Sequence, residues 1–171
     1  MAKRRHAWLV LLLLLACAGV RADVSMVGAP LAGIDTVAIS IQGLQQDLET
    51  HGISAATLQA ALAQRLTAAG LRVVQLEDIG RYPQSAILSL RLSLIRAPYY
   101  FYLYGLRLEA RSKLFPAPGE RSYAAVTAWS DMKIGLLMPS EAGKLKDYSL
   151  ELTDLFLKEY QRQNLAGPAR D

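Results

Sequence analysis

Residues 53–76, ISAATLQAALAQRLTAAGLRVVQL, hold a helix start, an apolar stripe, a helix stop and a strand in one continuous stretch. Ser54 stands where an N-cap hydroxyl accepts from the unsatisfied amides of a first turn. Ile53 and Leu58 are spaced to close a hydrophobic staple across that turn. Leu58, Ala61, Leu62, Leu66 and Ala69 recur at three-and-four spacing along one helical face, and Gln59, Gln64 and Arg65 fall off it. Gly70 supplies the left-handed residue that ends such a helix, Leu71 its apolar partner, and Val73-Val74 begin a strand. A helix with one apolar side that leads directly into a strand has to bury that side against a sheet. This points to an α+β domain.

The remaining pattern completes the layout. Val37, Ile39 and Ile41 alternate in a first strand over 34–41, and a polar connector over 43–52 leads to the helix. After a loop at 77–84, Leu88, Leu90, Leu92 and Leu94 share one face of a strand, with Ser89, Arg91 and Ser93 on the other. Ala97-Pro98 marks a connection, residues 99–111 a second strand of this meander, and 122–129 the returning strand. Residues 131–140, DMKIGLLMPS, read as irregular, and 134–138 within them as a cover for the core or a mobile apolar flap. Ser140 is placed to cap a final helix with the stripe Leu145, Tyr148, Leu152, Leu155, Phe156 and Tyr160. The expectation is a two-layer α+β sandwich, β-α-β-β-β-β-α. Its sheet is mostly antiparallel, of about five strands, with the helices packed on one face.

Ahead of this domain, Lys3, Arg4 and Arg5 precede an apolar run at 8–16, and Val20-Arg21-Ala22 closes a region of small residues. That is the form of a secretory signal peptide, and the run is short of the ~20 residues needed to span a bilayer. The chain divides into a leader at 1–22, a lead-in at 23–33, one domain at 34–163 and a polar tail at 164–171. Leu14-Leu15-Ala16-Cys17 offers a second reading, a lipobox in which Cys17 is lipidated and becomes the mature N-terminus. Cleavage after Ala22 is preferred. Four of the 19 lysines and arginines lie in the leader and none of the 15 acidic residues does, so the exported part is balanced at 15 of each. A nucleic-acid partner therefore loses its electrostatic basis. Cutting at Ala22 also removes the single cysteine, leaving the apolar core to hold the domain without disulfides.

Chemistry is sparse. His51 is the single histidine outside the leader, in a polar connector, which is too few ligands for a conventional zinc site. No Gly-x-Ser-x-Gly elbow, phosphate loop or dinucleotide glycine pattern occurs, so no cofactor is expected. Glu77-Asp78 is the one acidic pair with catalytic potential, although adjacent residues in an extended segment point apart. The most unusual run is Tyr99, Tyr100, Phe101, Tyr102, Leu103 and Tyr104, apolar or amphipathic on both faces. One reading is a strand start packed between helix and loop, with hydroxyls at the rim. The other is an interaction patch made of Tyr99, Tyr100, Phe101, Tyr102 and Tyr104.

The helix stripe ending in Gly70 and Val73-Val74, the leucine alternation at 86–96, Trp129-Ser130 and the last helix together resemble small exported envelope domains of Gram-negative bacteria. Among these are the N-terminal domain of TolB and the curli-assembly lipoprotein group. The resemblance implies a periplasmic or outer-membrane-anchored setting and transfers no functional residue. Three roles follow as expectations. The first is a non-enzymatic accessory domain that binds or assembles with an envelope protein, touching membrane only through an anchor at Cys17. The second is a small hydrolase of envelope polymer working through Glu77 and Asp78. The third is a carrier whose apolar pocket is walled by the aromatic run and residues 132–138.

Overall fold

The computed structural model describes residues 31–97, 101–114 and 124–165, and Cys17 and the leader lie outside them. Five strands, β1 (Thr36–Gln42), β2 (Arg72–Val74), β3 (Ser85–Ala97), β4 (Phe101–Leu114) and β5 (Ala124–Leu137), form one sheet in the order β2-β1-β3-β4-β5. β1 runs parallel to both neighbours, whereas β3, β4 and β5 form an antiparallel meander that carries most of the pairing. Helix α1 (Ala55–Ala68) lies over β1 and β2, helix α2 (Lys144–Leu165) lies over β4 and β5, and the helices touch each other. This is the expected α+β layout.

α1 starts as its sequence dictates. Ser54 Oγ accepts from the Thr57 amide at 3.1 Å, and the Thr57 hydroxyl accepts from the Ser54 amide at 2.9 Å. The two orphan amides are thus satisfied reciprocally. Ile53, Leu58, Leu62 and Leu66 are buried, and Gly70 ends the helix at φ 87°. On the sheet, Val37 and Ile39 from β1, Leu88, Leu90, Leu92 and Leu94 from β3, and Leu106, Leu108 and Ala110 from β4 face the helices and close the core.

The sequence reading and the structure part at β5. Residues 131–137 continue the strand rather than forming an irregular cover, because here the usual alternation is inverted. Pairing with β4 sets Asp131, Lys133 and Gly135 on the helix side and Met132, Ile134 and Leu136 on the outer side. Lys133 is tolerated on the inner side because its ammonium pairs with Glu151 and lies 4.0 Å over the Tyr148 ring. Gly135 leaves room for Tyr104, whose ring a Cβ at that position would meet at 2.9 Å, and Tyr104 in turn stacks on Tyr148 at 5.5 Å. Ser140 does not cap α2. It lies in a single turn, Pro139–Glu141, and α2 begins at Lys144.

The end of α2 fastens the start of the domain. Gln163 Oε1 accepts from the Leu31 amide at 2.7 Å, Asn164 Oδ1 accepts from the Gly33 amide at 2.8 Å, and the Tyr160 hydroxyl donates to the Ile34 carbonyl at 2.9 Å. Leu31 and Asn164, assigned by sequence to lead-in and tail, therefore belong to the packed body. Glu159 steadies this clamp, accepting from Gln163 Nε2 at 2.7 Å and pairing with Arg162. Arg162, then Gln163, hold the Glu159 carboxyl down to about 2. A depressed carboxyl stabilises the fold above its ordinary value of 4.5, and that contribution is lost as pH falls from there toward about 2. Thermal unfolding between those limits should show the native chain losing stability faster than Glu159→Gln, which has no proton to gain.

Candidate interaction surface

A helix layer on one face of a sheet leaves the other face to be explained. At the β1 end, the turn Leu76–Arg81 packs against β1 and β3, and the outward-facing Thr36 and Ala38 are buried. Ser85 Oγ ties this cover down, donating to the Tyr82 carbonyl at 2.6 Å. No such cover lies over β4 and β5 among the described residues.

Register places the bare side chains in rows across the meander. Ile95, Leu103 and Leu136 form one row. Phe101 lies beside it opposite Ala97, and Ile134 and Met132 continue the apolar surface along β5, with Met138 just past its end. Ile95 and Ile134 are each 61% exposed and Leu136 67%, values that belong to loops more than to large aliphatic residues of a regular sheet. Six apolar residues, Ile95, Phe101, Leu103, Ile134, Leu136 and Met138, are thus gathered at one end of one face, and Met132 carries the apolar edge along β5 into the row of Arg107. Exposed apolar surface of this kind makes this end of the face the candidate interaction surface.

The other end of the same face is polar. Arg91 and Arg107 stand opposite each other on β3 and β4. Their like charges are relieved sideways. Arg91 Nη2 donates to Gln42 Oε1 at 3.1 Å, and Arg107 pairs with Glu109 at 2.6 Å and donates to Ser130 Oγ at 3.1 Å. The apolar end is therefore bordered by a charged edge, as an interface core is by its rim.

Strand alternation divides the aromatic run. Phe101 lies on the outer face with Leu103, while Tyr102 and Tyr104 are buried on the helix side at 6% and 4% exposure. Burial, then the neighbouring Tyr148, raises the Tyr104 hydroxyl above the ordinary tyrosine value. Tyr99 and Tyr100 lie outside the described residues. Within this run, then, the outer surface is carried by Phe101 and Leu103. The larger part of the exposed apolar surface comes from β5, which the sequence reading took for an irregular cover of the core because the faces of its residues are set only by pairing with β4.

The other candidates are spread over the molecule. His51 is exposed in the turn Gln46–His51. Glu77 and Asp78 lie in the turn Leu76–Arg81, Glu77 exposed and Asp78 paired with Arg81 at 2.9 Å. A cleft of about 340 Å³ opens between α1 and α2, lined by Ala61, Gln64, Arg65, Ala68, Lys146 and Leu150, none of which belongs to the aromatic run or to residues 132–138. Among the described residues no group of three or more His, Cys, Asp or Glu could hold a metal ion, and no helix is long and apolar enough to cross a membrane.

No protein-family model and no curated protein matches the chain. Among solved structures, a PelC dodecamer from Paraburkholderia phytofirmans is similar at 17% identity, covering 78% of this chain and 93% of that chain with a TM-score of 0.43. A minor lipoprotein from Acinetobacter baumannii is similar at 16% identity, covering 75% of this chain and 91% of that chain with a TM-score of 0.28. Neither likeness carries a role to any residue here.

Proposed function

We propose that this chain is a non-enzymatic, exported accessory domain of the cell envelope that docks a partner protein on the outer face of its meander. The observation that carries the reading is the row Ile95–Leu103–Leu136 with its apolar neighbours, held in regular strands and open to solvent. Rigid strands present these side chains without the ordering cost a loop would add, which favours a preformed docking surface. The leader and the lipobox at Cys17 support export, with Cys17 the point of attachment where it is lipidated. The hydrolase reading gains nothing from an ion-paired Asp78 beside an exposed Glu77, nor the carrier reading from residues 132–138 on an open face.

The paired substitution Ile95→Glu and Leu103→Glu tests this. Both residues are exposed but stand directly opposite each other, so the two like charges should cost up to about 1 kcal/mol and leave the domain folded. The complex of the native chain with a second protein, resolved by native electrophoresis of solubilised envelopes, should be lost. Glu77→Gln with Asp78→Asn should leave it intact. Persistence of the complex in the face variant would refute the docking surface.

A further inference from the structure

The edge of the sheet beside this face has a structure of its own. β5 is the last strand, and among the described residues nothing pairs with its outer side. In an antiparallel ladder, alternate residues exchange both backbone bonds with the neighbour, and those between aim both groups outward. The Met132 amide donates to Asp131 Oδ1 at 2.7 Å, and the Met138 amide to Glu141 Oε2 at 3.1 Å. Amides engaged by local carboxylates are not spent on β4, so even-numbered residues here face outward. The one irregularity of the β4–β5 register lies far off at Ala110/Arg111, so the parity holds through this segment. Ile134 and Leu136 therefore aim their N–H and C=O groups away from the sheet. They form a window of two residues between two amides that carboxylates already occupy.

We infer that this window pairs with the same window of a second copy, β5 antiparallel to β5 about a two-fold axis at Gly135. That register sets Ile134 opposite Leu136 of the partner, and Leu136 opposite its Ile134. Both pairs are of the kind that exchanges two backbone bonds, so the four outward groups of each copy are satisfied. Met132 faces Met138 of the partner, which extends the apolar contact across the outer face. On the helix side Lys133 meets Leu137, so no like charges oppose. At the axis Gly135 meets Gly135, and the non-bonded pair, where Cα atoms approach closest, has no side chain to obstruct it. Asp131 and Glu141 bound the window and discourage longer or shifted pairings, as charged guards on edge strands do. The inference rests on backbone groups at the edge and is separate from docking on the face, although pairing would join two apolar faces into one platform.

The chain is expressed in full in a Gram-negative host, and the processed product is examined by sedimentation over a concentration series. The expected result is a reversible dimer. Ile134→Pro removes an outward amide without touching the β4 ladder and should weaken pairing roughly 30-fold, since each copy loses one edge bond. Ile134→Lys with Leu136→Glu sets opposite charges across the axis and should keep the dimer. Ile134→Lys with Leu136→Lys sets like charges there and should weaken it at least about tenfold. Circular dichroism confirms that each variant folds, and Ile95→Glu with Leu103→Glu, which removes face docking, should dimerise like the native chain. A native chain monomeric at ~100 μM, well above the micromolar constants of weak interfaces, would overturn the inference. So would a dimer indifferent to Ile134→Pro, or one in which the two charge pairs behave alike.

Discussion

Alanine at position 43 is expected to destabilise the fold by about 3 kcal/mol, while the same substitution at position 70 costs about 1 kcal/mol. Both glycines have positive φ, 77° and 87°, and both lose conformational freedom on acquiring a Cβ. They differ in their surroundings. A Cβ at Gly43 would lie 2.0 Å from the Leu92 carbonyl oxygen and 3.1 Å from its carbon, whereas nothing lies within 4 Å of one at Gly70. Gly43 follows directly on β1, and its backbone lies against β3 just past Gln42↔Arg91, their last paired residues. The atom in the way is backbone, so relief requires β1 and β3 to separate rather than a side chain to turn. Denaturant midpoints of the two variants measure the difference. Equal losses would mean that left-handed geometry alone explains both positions.

Phe156→Ala should cost about 3–5 kcal/mol, the range for deleting a buried aromatic side chain. Phe156 is fully buried on α2, meets Trp129 of β5 edge-on at 5.5 Å between ring centres, and stacks on Tyr160 at 6.2 Å. Removing it opens a cavity between α2 and β5 and frees Tyr160, whose hydroxyl helps hold the domain's start. Phe156→Leu, which refills most of the space, should recover much of the loss. The variant also separates stability from docking. It weakens the element that supports the outer face, whereas Leu103→Glu alters the face without touching the core. Chemical denaturation that placed Phe156→Ala within 1 kcal/mol of native would contradict the packing described.

Where the determinants are local, the sequence was legible. The residues from Ser54 to Gly70 carry cap, stripe and stop within a few turns, and the structure reproduces each of them. β3 was legible for the same reason, with four leucines at period two against serine and arginine. The first part of β5 was legible as the returning strand at 122–129, but 131–137 was not, because its alternation reports an edge position. Lys133 occupies a core-facing position only because α2 supplies Glu151 and Tyr148 from a distant part of the chain. With that parity inverted, Met132, Ile134 and Leu136 mark no inward stripe, and the segment reads as an irregular cover of the core until β4 is set beside it. The aromatic run was half legible. Its composition drew attention to this end of the sheet, yet period two sends Tyr102 and Tyr104 inward and leaves Phe101 and Leu103 outside. Ser140 shows the limit of cap rules, since Pro139 and Glu141 close a separate turn before the helix begins.

The docking surface is tested most directly by a photoreactive residue placed at Leu103 in living cells, with Gln64 on the exposed side of α1 as the matched control. Illumination should give a discrete protein adduct from position 103 and none from position 64. An absence of adduct at 103, or the same adducts from both positions, would contradict a partner held on the outer face.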